Sequence, residues 1–469
     1  MNRTFLRHIH LTVILAVMLT AFAACIEDSI STSPADQPEF STDTLRFGTQ
    51  YSDEVTPTMM LMVYNRHDKV MSISDISIEG DDGVFRLNVD GFSGTRFSGV
   101  EIRPNDSIYV LVSARFPTNG DFEPARVDRT LTFTTNGVTR KVVLTAESQD
   151  VERLTDPVIT ADTRWRPTHP RRIYGRLTVA PGATLTLEAG TTLLFHDKAS
   201  VEVEGRLVCL GTAEQPVVMR GDRLGSVVGD ISFDLMASQW HGVRLTPQSA
   251  GNELSFTEIR NTVSGLTADT TDLALVNCRL RNSAGRVLTS NHSTLRAVGS
   301  EFAEAAEGAV LLCGGSAEMV NCTFSNYYLF AAITGALLQV DHTDADHTDG
   351  STLPYLSARI VNSILYGSSG EMNRSDLTGT DVYVTSCLMR SKGTDDDHFI
   401  RCLWDTDPLF YTVRSEYLFD YRLQPDSPAI GASQPCDTQL PATDFYGTPH
   451  PSPASLGAYE PRPDGEENP

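Results

Sequence analysis

The chain has 469 residues, 40% of them hydrophobic, and carries 60 acidic against 37 basic residues, a formal net charge of −23 at pH 7. This length leaves room for two or three domains with a large core. The acidic residues are spread evenly, which argues against nucleic-acid binding and against docking on anionic lipid by charge, because both need a basic surface.

The first 24 residues predict an export signal that is separate from the fold. Two arginines precede the apolar run Leu11–Leu19, which is too short for a spanning helix. The residues before Cys25 resemble a lipobox, where cleavage leaves a cysteine that is acylated, so we predict lipid attachment at Cys25. Alternatively, Ala21–Ala23 could serve a conventional signal peptidase and leave a soluble protein.

Glu27 and Asp28 resemble the acidic signal that sends some lipoproteins to the outer face of the outer membrane. That resemblance implies a cell-surface protein that is held to the outer membrane by its lipid. Residues 25–42 are rich in Ser, Thr and Pro and predict a flexible tether.

Residues 43–150 contain about seven short β runs separated by polar turns, which predicts an immunoglobulin-like β-sandwich. Runs such as Met59–Tyr64, Ser107–Val112 and Lys141–Thr145 resemble the ASH/MSP-like immunoglobulin modules of bacterial surface proteins. Such modules act as spacers or docking platforms, and no residue of this segment points to catalysis.

The second half of the chain contains a repeat whose last residues lie 21, 22, 22, 41 and 24 positions apart. A period of this size predicts a stacked β-solenoid. The repeated segments are Leu254–Ile259, Leu275–Leu280, Ala297–Phe302, Met319–Phe324, Ile360–Leu365 and Val384–Met389. The 41-residue gap fits either one circuit with an insertion at 325–357 or two irregular circuits.

The run Gly175–Phe195, in which glycines separate short stretches of alternating apolar and polar residues, and the six repeated segments resemble right-handed parallel β-helix proteins of the pectate-lyase-like superfamily. We therefore predict an all-β chain with a right-handed parallel β-helix over residues 151–435. Residues 436–469 resemble the closing segment of such proteins and predict a cap, which would cover the strand edges of the last circuit, and a tail.

Three columns follow from the alternation of side chains along each strand. A large apolar column and a small column are predicted inside, and a charged column that begins with Glu258, Arg279 and Glu301 is predicted outside in water. The large column is Ile259, Leu280, Phe302, Phe324, Leu365 and Met389, and the small one is Thr257, Cys278, Ser300, Cys322, Ser363 and Cys387. Asn277, Gly299, Asn321, Asn362 and Ser386 are predicted at left-handed corners, where they could also form a ladder.

Seven cysteines besides Cys25 leave an odd number, so at least one is free or intermolecular. Those of the small column are predicted to be buried, and Cys402 with Cys436 is an open disulfide candidate.

One acidic stretch, residues 341–350, is the candidate metal site. Asp344, Asp346 and Asp349 place hard oxygens within reach of one cation and suit calcium, the only cofactor that the sequence indicates. His342 and His347 would suit zinc better, and a solvated acidic loop is the alternative.

Tyr327 and Tyr328 are candidate glycan contacts if they are exposed, and core residues if they are not. Patterns typical of polygalacturonases are absent, although Lys392 precedes three aspartates and His398 in a loop with acid–base potential. We therefore predict no catalytic residue and a non-catalytic binding or structural module, glycan- or adhesion-related, whose partner is a polysaccharide or another surface protein. A polysaccharide lyase or glycoside hydrolase is the alternative.

Overall fold

The computed structural model of the protein describes residues 29–120, 123–227, 231–341, 356–373, 377 and 380–461. These residues confirm the all-β prediction, with several parallel sheets. The chain divides into two compact units between Gln149 and Asp150. In the described ranges no helix is long and apolar enough to cross a membrane. Among the described residues, Phe233–Leu235 and Arg414–Glu416 form 3₁₀ turns.

The first unit consists of two sheets that share one apolar core. Its strands are β1 (Glu39–Phe40), β2 (Thr44–Tyr51), β3 (Met59–Tyr64), β4 (Met71–Ile78), β5 (Phe85–Val89), β6 (Phe92–Gly94), β7 (Arg96–Phe97), β8 (Val100–Ile102), β9 (Ser107–Ala114), β10 (Ala125–Thr135) and β11 (Val138–Gln149). The sheet orders are β1-β3-β9-β5-β6 and β2-β11-β10-β4-β7, and β8 also pairs with β4. Apolar residues alternate along these strands because only one face of each sheet meets the core.

The segment predicted to be a flexible tether is attached to the first unit over its described part. β1 pairs with β3 in antiparallel register, and Ile30 forms a parallel bridge with Val70. The Phe40 ring lies 4.7 Å from the Phe133 ring, between centroids. A composition rich in Ser, Thr and Pro does not prevent a segment from pairing with an open sheet edge, so the prediction was wrong for these residues.

The second unit winds through three parallel sheets in rotation. Sheet I contains β12 (Glu152–Thr155), β15 (Arg171–Tyr174), β18 (Thr192–Phe195), β21 (Val217–Gly221), β24 (Thr257–Thr262), β27 (Arg279–Ser283), β30 (Glu301–Ala305), β33 (Thr323–Ser325), β36 (Ile364–Leu365) and β38 (Leu388–Met389). Sheet II contains β13 (Val158–Ile159), β16 (Arg176–Val179), β19 (Ser200–Val203), β22 (Gly242–Leu245), β25 (Leu266–Asp269), β28 (Leu288–Asn291), β31 (Val310–Cys313) and β34 (Leu338–Asp341). Sheet III contains β14 (Thr163–Trp165), β17 (Thr184–Glu188), β20 (Arg206–Leu210), β23 (Asn252–Ser255), β26 (Asp272–Val276), β29 (Thr294–Val298), β32 (Gly315–Val320), β35 (Leu356–Val361), β37 (Asp381–Thr385) and β39 (Phe399–Ile400). Each circuit has one strand in each sheet as far as β34, and beyond it the described strands alternate between sheets III and I.

The predicted register is confirmed along the whole large column. Each member pairs with the next one on sheet I, from Ile259 with Leu280 to Leu365 with Met389. These side chains fill the core between the three sheets together with the small column, and stacked rings such as Phe302 and Phe324, 5.4 Å apart between centroids, extend along it. Phe324 also pairs directly with Leu365, so the 41-residue gap is one lengthened circuit.

The cysteines behave as predicted where they belong to the small column, in which Cys278, Cys322 and Cys387 are buried. Cys402 and Cys436 both remain thiols, so the open disulfide candidate is not formed.

The C-terminal segment, residues 407–461, includes the described part of the cap and tail that were predicted at residues 436–469. It lies against the outer face of sheet I, where Phe410, Tyr421 and Leu456 pack with Ile364 and Leu388 in a second apolar cluster. The outward column turns from charged to apolar along the sheet, and its apolar end needs a cover that a flat end cap could not supply.

The corner residues adopt the left-handed conformation as predicted, with φ between 47° and 60° from Asn277 to Ser386. Their asparagine side chains bind the C-terminal segment. Asn277 donates to Thr443 O at 2.7 Å, Asn321 to Ser455 O at 2.7 Å, and Asn362 to Gln434 O at 2.8 Å. These three hydrogen bonds attach the C-terminal segment to the corners of three circuits.

We predict that Phe324→Ala lowers the free energy of unfolding of the second unit by about 3–5 kcal/mol, because a fully buried ring leaves a cavity in a stacked column. Leu210→Ala, at a side chain that is 43% exposed, is the control and should cost under about 1 kcal/mol. All three tryptophans, Trp165, Trp240 and Trp404, belong to this unit, so denaturant unfolding followed by tryptophan fluorescence reports on it alone. Equal costs for the two variants would contradict the packing.

Candidate ligand-binding clefts on the outer face of sheet I

The charged outward column was predicted to face water and instead lies beneath the C-terminal segment. Glu258 is 6% exposed and Glu301 is 0% exposed. Arg260 Nη1 donates to Glu258 Oε1 at 2.8 Å, and Arg281 Nε donates to Glu301 Oε1 at 2.9 Å. Arg279 lies between them, with 3.6 Å from its Nη1 to Glu258 Oε2 and 3.9 Å from its Nε to Glu301 Oε2. Burial is tolerated because opposite charges occupy neighbouring circuits.

Aromatic residues of the C-terminal segment close this network. Tyr459 donates its hydroxyl to Glu301 Oε2 at 2.6 Å, and the Arg279 guanidinium lies 5.1 Å from the centre of the Phe445 ring and 5.4 Å from that of the Tyr446 ring. Burial alone would raise the pKa of Glu258, but the charges of its arginine neighbours outweigh burial and lower that pKa to about 2. The outer face of sheet I is therefore a neutralised, desolvated layer.

Glu304 is a carboxyl on this face of sheet I whose pKa is determined mainly by burial. It is 1% exposed at φ 57°, and accepts hydrogen bonds from the Tyr421 hydroxyl and from Tyr327 N, the latter at 3.2 Å. Its Oε2 has no hydrogen-bond partner among the described residues. Burial raises the pKa of Glu304 to about 7, against the lowering effect of these hydrogen bonds and of Arg281.

The first cleft, here named the tyrosine cleft, opens where β36 and β38 end and the C-terminal segment begins. It has a volume of about 620 Å³ and is lined by Tyr366, Glu371, Arg390, Lys392, Asp405 and Asp407, among others. An adjoining hollow of about 240 Å³ shares Tyr366 and Asp407 and adds Tyr327 and Arg414. The two hollows thus place two tyrosines and charges of both signs around one opening.

The polar groups of the tyrosine cleft are held by the strands below them. The Tyr366 hydroxyl is hydrogen-bonded to Asp407, and burial raises the pKa of that hydroxyl. Arg390 Nη1 donates to Gly367 O at 2.6 Å, and Glu371 Oε1 accepts from Ser391 N at 2.5 Å. These contacts fix one tyrosine, one cation and one carboxylate at the rim, which favours recognition of a neutral, hydroxyl-rich ligand over a simple ion.

The loop after Lys392 does not form the acid–base neighbourhood considered from the sequence. Asp395 accepts from Arg401 N at 2.6 Å and from Trp404 Nε1 at 3.0 Å, and Asp396 Oδ1 accepts from His398 N at 2.8 Å. These aspartates satisfy the backbone of a turn, which is their common role in loops.

The second cleft, here named the histidine cleft, lies on the same face of sheet I, over β15, β18 and β21. It has a volume of about 540 Å³, between these strands and residues 222–227 and 233–239. Asp222 Oδ2 accepts from Arg172 Nε at 2.7 Å and lies 2.7 Å from His196 Nδ1. The side chains of Arg172 and Asp222 are 8% and 6% exposed, whereas that of His196 is 46% exposed.

The structure places the predicted site residues as follows. Cys25, Asp344, Asp346 and Asp349 lie outside the described residues, and within the described ranges no group of three or more His, Cys, Asp or Glu could hold a metal ion. Tyr327 is half-buried and lines the tyrosine cleft, with its ring stacked 6.4 Å from that of Tyr421.

Tyr328 is buried, with 6% of its surface exposed, and is hydrogen-bonded to the backbone of Ala237, so its ring offers no open face. The sequence analysis missed the three residues of the histidine cleft. A signal for them exists in the register, because Phe195 pairs with Gly221 on sheet I and the next residues along the two strands are His196 and Asp222.

We predict that the free energy of unfolding falls by up to about 3 kcal/mol between pH 4.5 and pH 7 through Glu304 alone. In the unfolded chain this carboxyl ionises near 4.5, whereas the folded chain holds the proton to about 7, so the unfolded state binds fewer protons in that window. Glu304→Gln should remove this part of the pH dependence, measured by denaturant unfolding at a series of pH values.

Glu307→Gln is the matched control, since the Glu307 side chain is 56% exposed, and this variant should keep the wild-type slope. Glu258 acts in the opposite direction, because its pKa is lowered: its stabilisation is present above pH 4.5 and is lost as the pH falls towards 2. If wild type and Glu304→Gln show parallel curves from pH 4.5 to pH 7, Glu304 does not hold its proton in the folded state.

No family model matches the chain, and no curated protein matches it. Among solved structures, a family 123 glycoside hydrolase from Clostridium perfringens, described for its hydrolysis of glycolipid glycans, aligns with a TM-score of 0.17 and 9% identity. The alignment covers 24% of this chain and 25% of that one. A likeness of this size carries no argument about fold or function.

Proposed function

We propose that the protein is a lipid-anchored surface protein whose second unit, a right-handed parallel β-helix, binds carbohydrate in the tyrosine cleft. The observation that carries the proposal is the cleft itself, where Tyr366 lies with Glu371, Asp407 and Arg390, next to a hollow that Tyr327 lines and that shares Tyr366 and Asp407. Sugars present both C–H faces, which pack on aromatic rings, and hydroxyl groups, which hydrogen-bond to carboxylates and guanidinium groups.

Three parallel sheets visited in rotation support the β-helix part of the proposal, and a right-handed path is the rule for parallel crossovers. Two sheets around one core support an immunoglobulin-like first unit, which would act as a spacer. A stacked scaffold suits a binding role, because residues at its rim are held by strands that are themselves paired on sheet I.

The test is a glycan array of neutral and uronic-acid polysaccharides probed with the purified full-length chain, followed by titration of the best ligand. We expect Tyr366→Ala to weaken binding at least tenfold, about 1.4 kcal/mol, because it removes the ring that the two hollows share. Tyr383→Ala is the matched control, since Tyr383 lies on sheet III beneath the Arg359 guanidinium, and should bind as the wild type does.

Unchanged affinity in Tyr366→Ala, or no binding to any glycan, would remove the tyrosine cleft from the function. The same incubations separate the runner-up function from this one. New reducing ends or absorbance from unsaturated sugars would show turnover and favour a glycoside hydrolase or polysaccharide lyase.

The anchor is tested separately. Metabolic labelling with a fatty-acid analogue should mark the wild-type chain and spare Cys25→Ala, because acylation would need the thiol at the cleavage site. Replacing Glu27 and Asp28 with Ala should leave a labelled protein that external protease no longer reaches. Equal labelling of wild type and Cys25→Ala would refute lipid attachment at this position.

A further inference from the structure

The histidine cleft contains a titratable pair that the proposed glycan-binding function does not use. Tyr174, His196 and Asp222 follow β15, β18 and β21 at the same level of sheet I, so the register stacks them on successive circuits. The His196 ring lies 4.8 Å from the Tyr174 ring between centroids, on the side away from Asp222. The imidazole is therefore held between a ring below and a carboxylate above.

The hydrogen-bonding partners determine which ring nitrogen of His196 carries the proton. Asp222 Oδ2 lies 2.7 Å from His196 Nδ1, and Arg172 Nη2 lies 3.4 Å from the same nitrogen. A carboxylate can only accept and a guanidinium can only donate, so the shorter contact, to Asp222, favours the tautomer with the hydrogen on Nδ1. Arg172 also donates to Asp222 Oδ2 and supplies a positive charge beside it. The lone pair is then on Nε2, at the far edge of a ring that is 46% exposed and lines the cleft.

The backbone next to Asp222 is closely packed against the opposite wall of the cleft. Gly221 immediately precedes it, and a Cβ at that position would lie 2.2 Å from Gln239 Oε1. Gln239 in turn donates to Phe233 O at 2.6 Å, which fixes the loop that forms the opposite wall of the cleft. The close contact between Gly221 and Gln239 thus links the strand that precedes Asp222 to the opposite wall of the cleft.

The walls indicate what the cleft would accept. Phe233, Met236 and Val227 form an apolar side, while Arg223 and Asp197 are exposed charged residues of the rim. The Arg223 guanidinium lies 5.2 Å from the centre of the Phe233 ring, beside the apolar wall. The lining thus combines an apolar side, which suits a small acyl group, with a guanidinium of the kind that stabilises an oxyanion.

We propose that the histidine cleft hydrolyses small O-acyl esters, with His196 as the general base. His196 Nε2 accepts a proton from a water molecule as the water oxygen forms a bond to the ester carbonyl carbon. Arg223 stabilises the tetrahedral oxyanion. The C–O bond to the alcohol then breaks, and the imidazolium returns its proton to the departing alkoxide, so ester and water give acid and alcohol with no change of oxidation state.

In this scheme Asp222 and Arg172 are positioning residues. Asp222 holds the Nδ1–H tautomer and favours the imidazolium that forms during the reaction, and Arg172 orients the carboxylate through two nitrogens. The proposal does not rest on glycan binding in the tyrosine cleft, although an acylated sugar would be a substrate of the right class. Either proposal can fail while the other stands.

The test uses the full chain and p-nitrophenyl acetate, with release of p-nitrophenol followed from pH 5 to pH 8.5. We expect kcat to be higher at pH 8.5 than at pH 5, because a general base must be unprotonated to accept a proton from water. His196→Gln should lower kcat at least tenfold with little change in KM. His241→Gln, at an exposed histidine of the neighbouring circuit, is the matched control and should keep the wild-type rate.

Asp222→Asn should also lower kcat at least tenfold, because the amide can donate to Nδ1 and favours the other tautomer. Should that variant fold poorly, nitrogen NMR of the wild-type histidines decides the same point, since His196 should be in the Nδ1–H form at pH 8. A wild-type rate in His196→Gln, or the Nε2–H form in the wild type, would overturn the proposal.

Discussion

Parallel in-register pairing, with one residue of each circuit above its counterpart at a spacing of about 4.8 Å, is the constraint on which the second unit depends. It stacks Phe302 on Phe324 with ring centroids 5.4 Å apart, and it aligns the large column from Ile259 to Met389. The same constraint acts outside the core. Any side chain at the end of one strand is brought beside the corresponding side chain of the next circuit, which is how both clefts acquire their residues.

On the outer face of sheet I, in-register pairing places charged side chains of neighbouring circuits next to one another. Like charges stacked at this spacing would repel one another, whereas Glu258, Arg279 and Glu301 alternate in sign along the column. Alternation leaves the column close to neutral, and a neutral column can be covered by aromatic rings. The tyrosines of the C-terminal segment then complete the hydrogen bonds that water would otherwise make, as Tyr459 does for Glu301.

Sequence periodicity was sufficient for the all-β class, the register of the columns and the left-handed corners, because each depends on residues at fixed spacing. It was not sufficient to tell a solvated face from a covered one, since Glu258 and Arg279 have the same pattern in both cases. The cover comes from a segment without repeats, so its position follows from tertiary contacts alone. For the same reason Tyr327 and its neighbour Tyr328 could not be separated: Tyr328 is buried and hydrogen-bonded to the backbone of Ala237, whereas Tyr327 lines the hollow beside the tyrosine cleft.

The hydrogen bond from Asn277 to Thr443 joins residues that are 166 positions apart. A contact of such long range closes a large loop, which costs more conformational entropy than pairing neighbouring circuits. The circuits around Asn277 can therefore pair without the segment that covers them. Paired arginines and glutamates on β24, β27 and β30 suit both conditions of this face, because they are hydrated while it is uncovered and neutralise one another once it is covered.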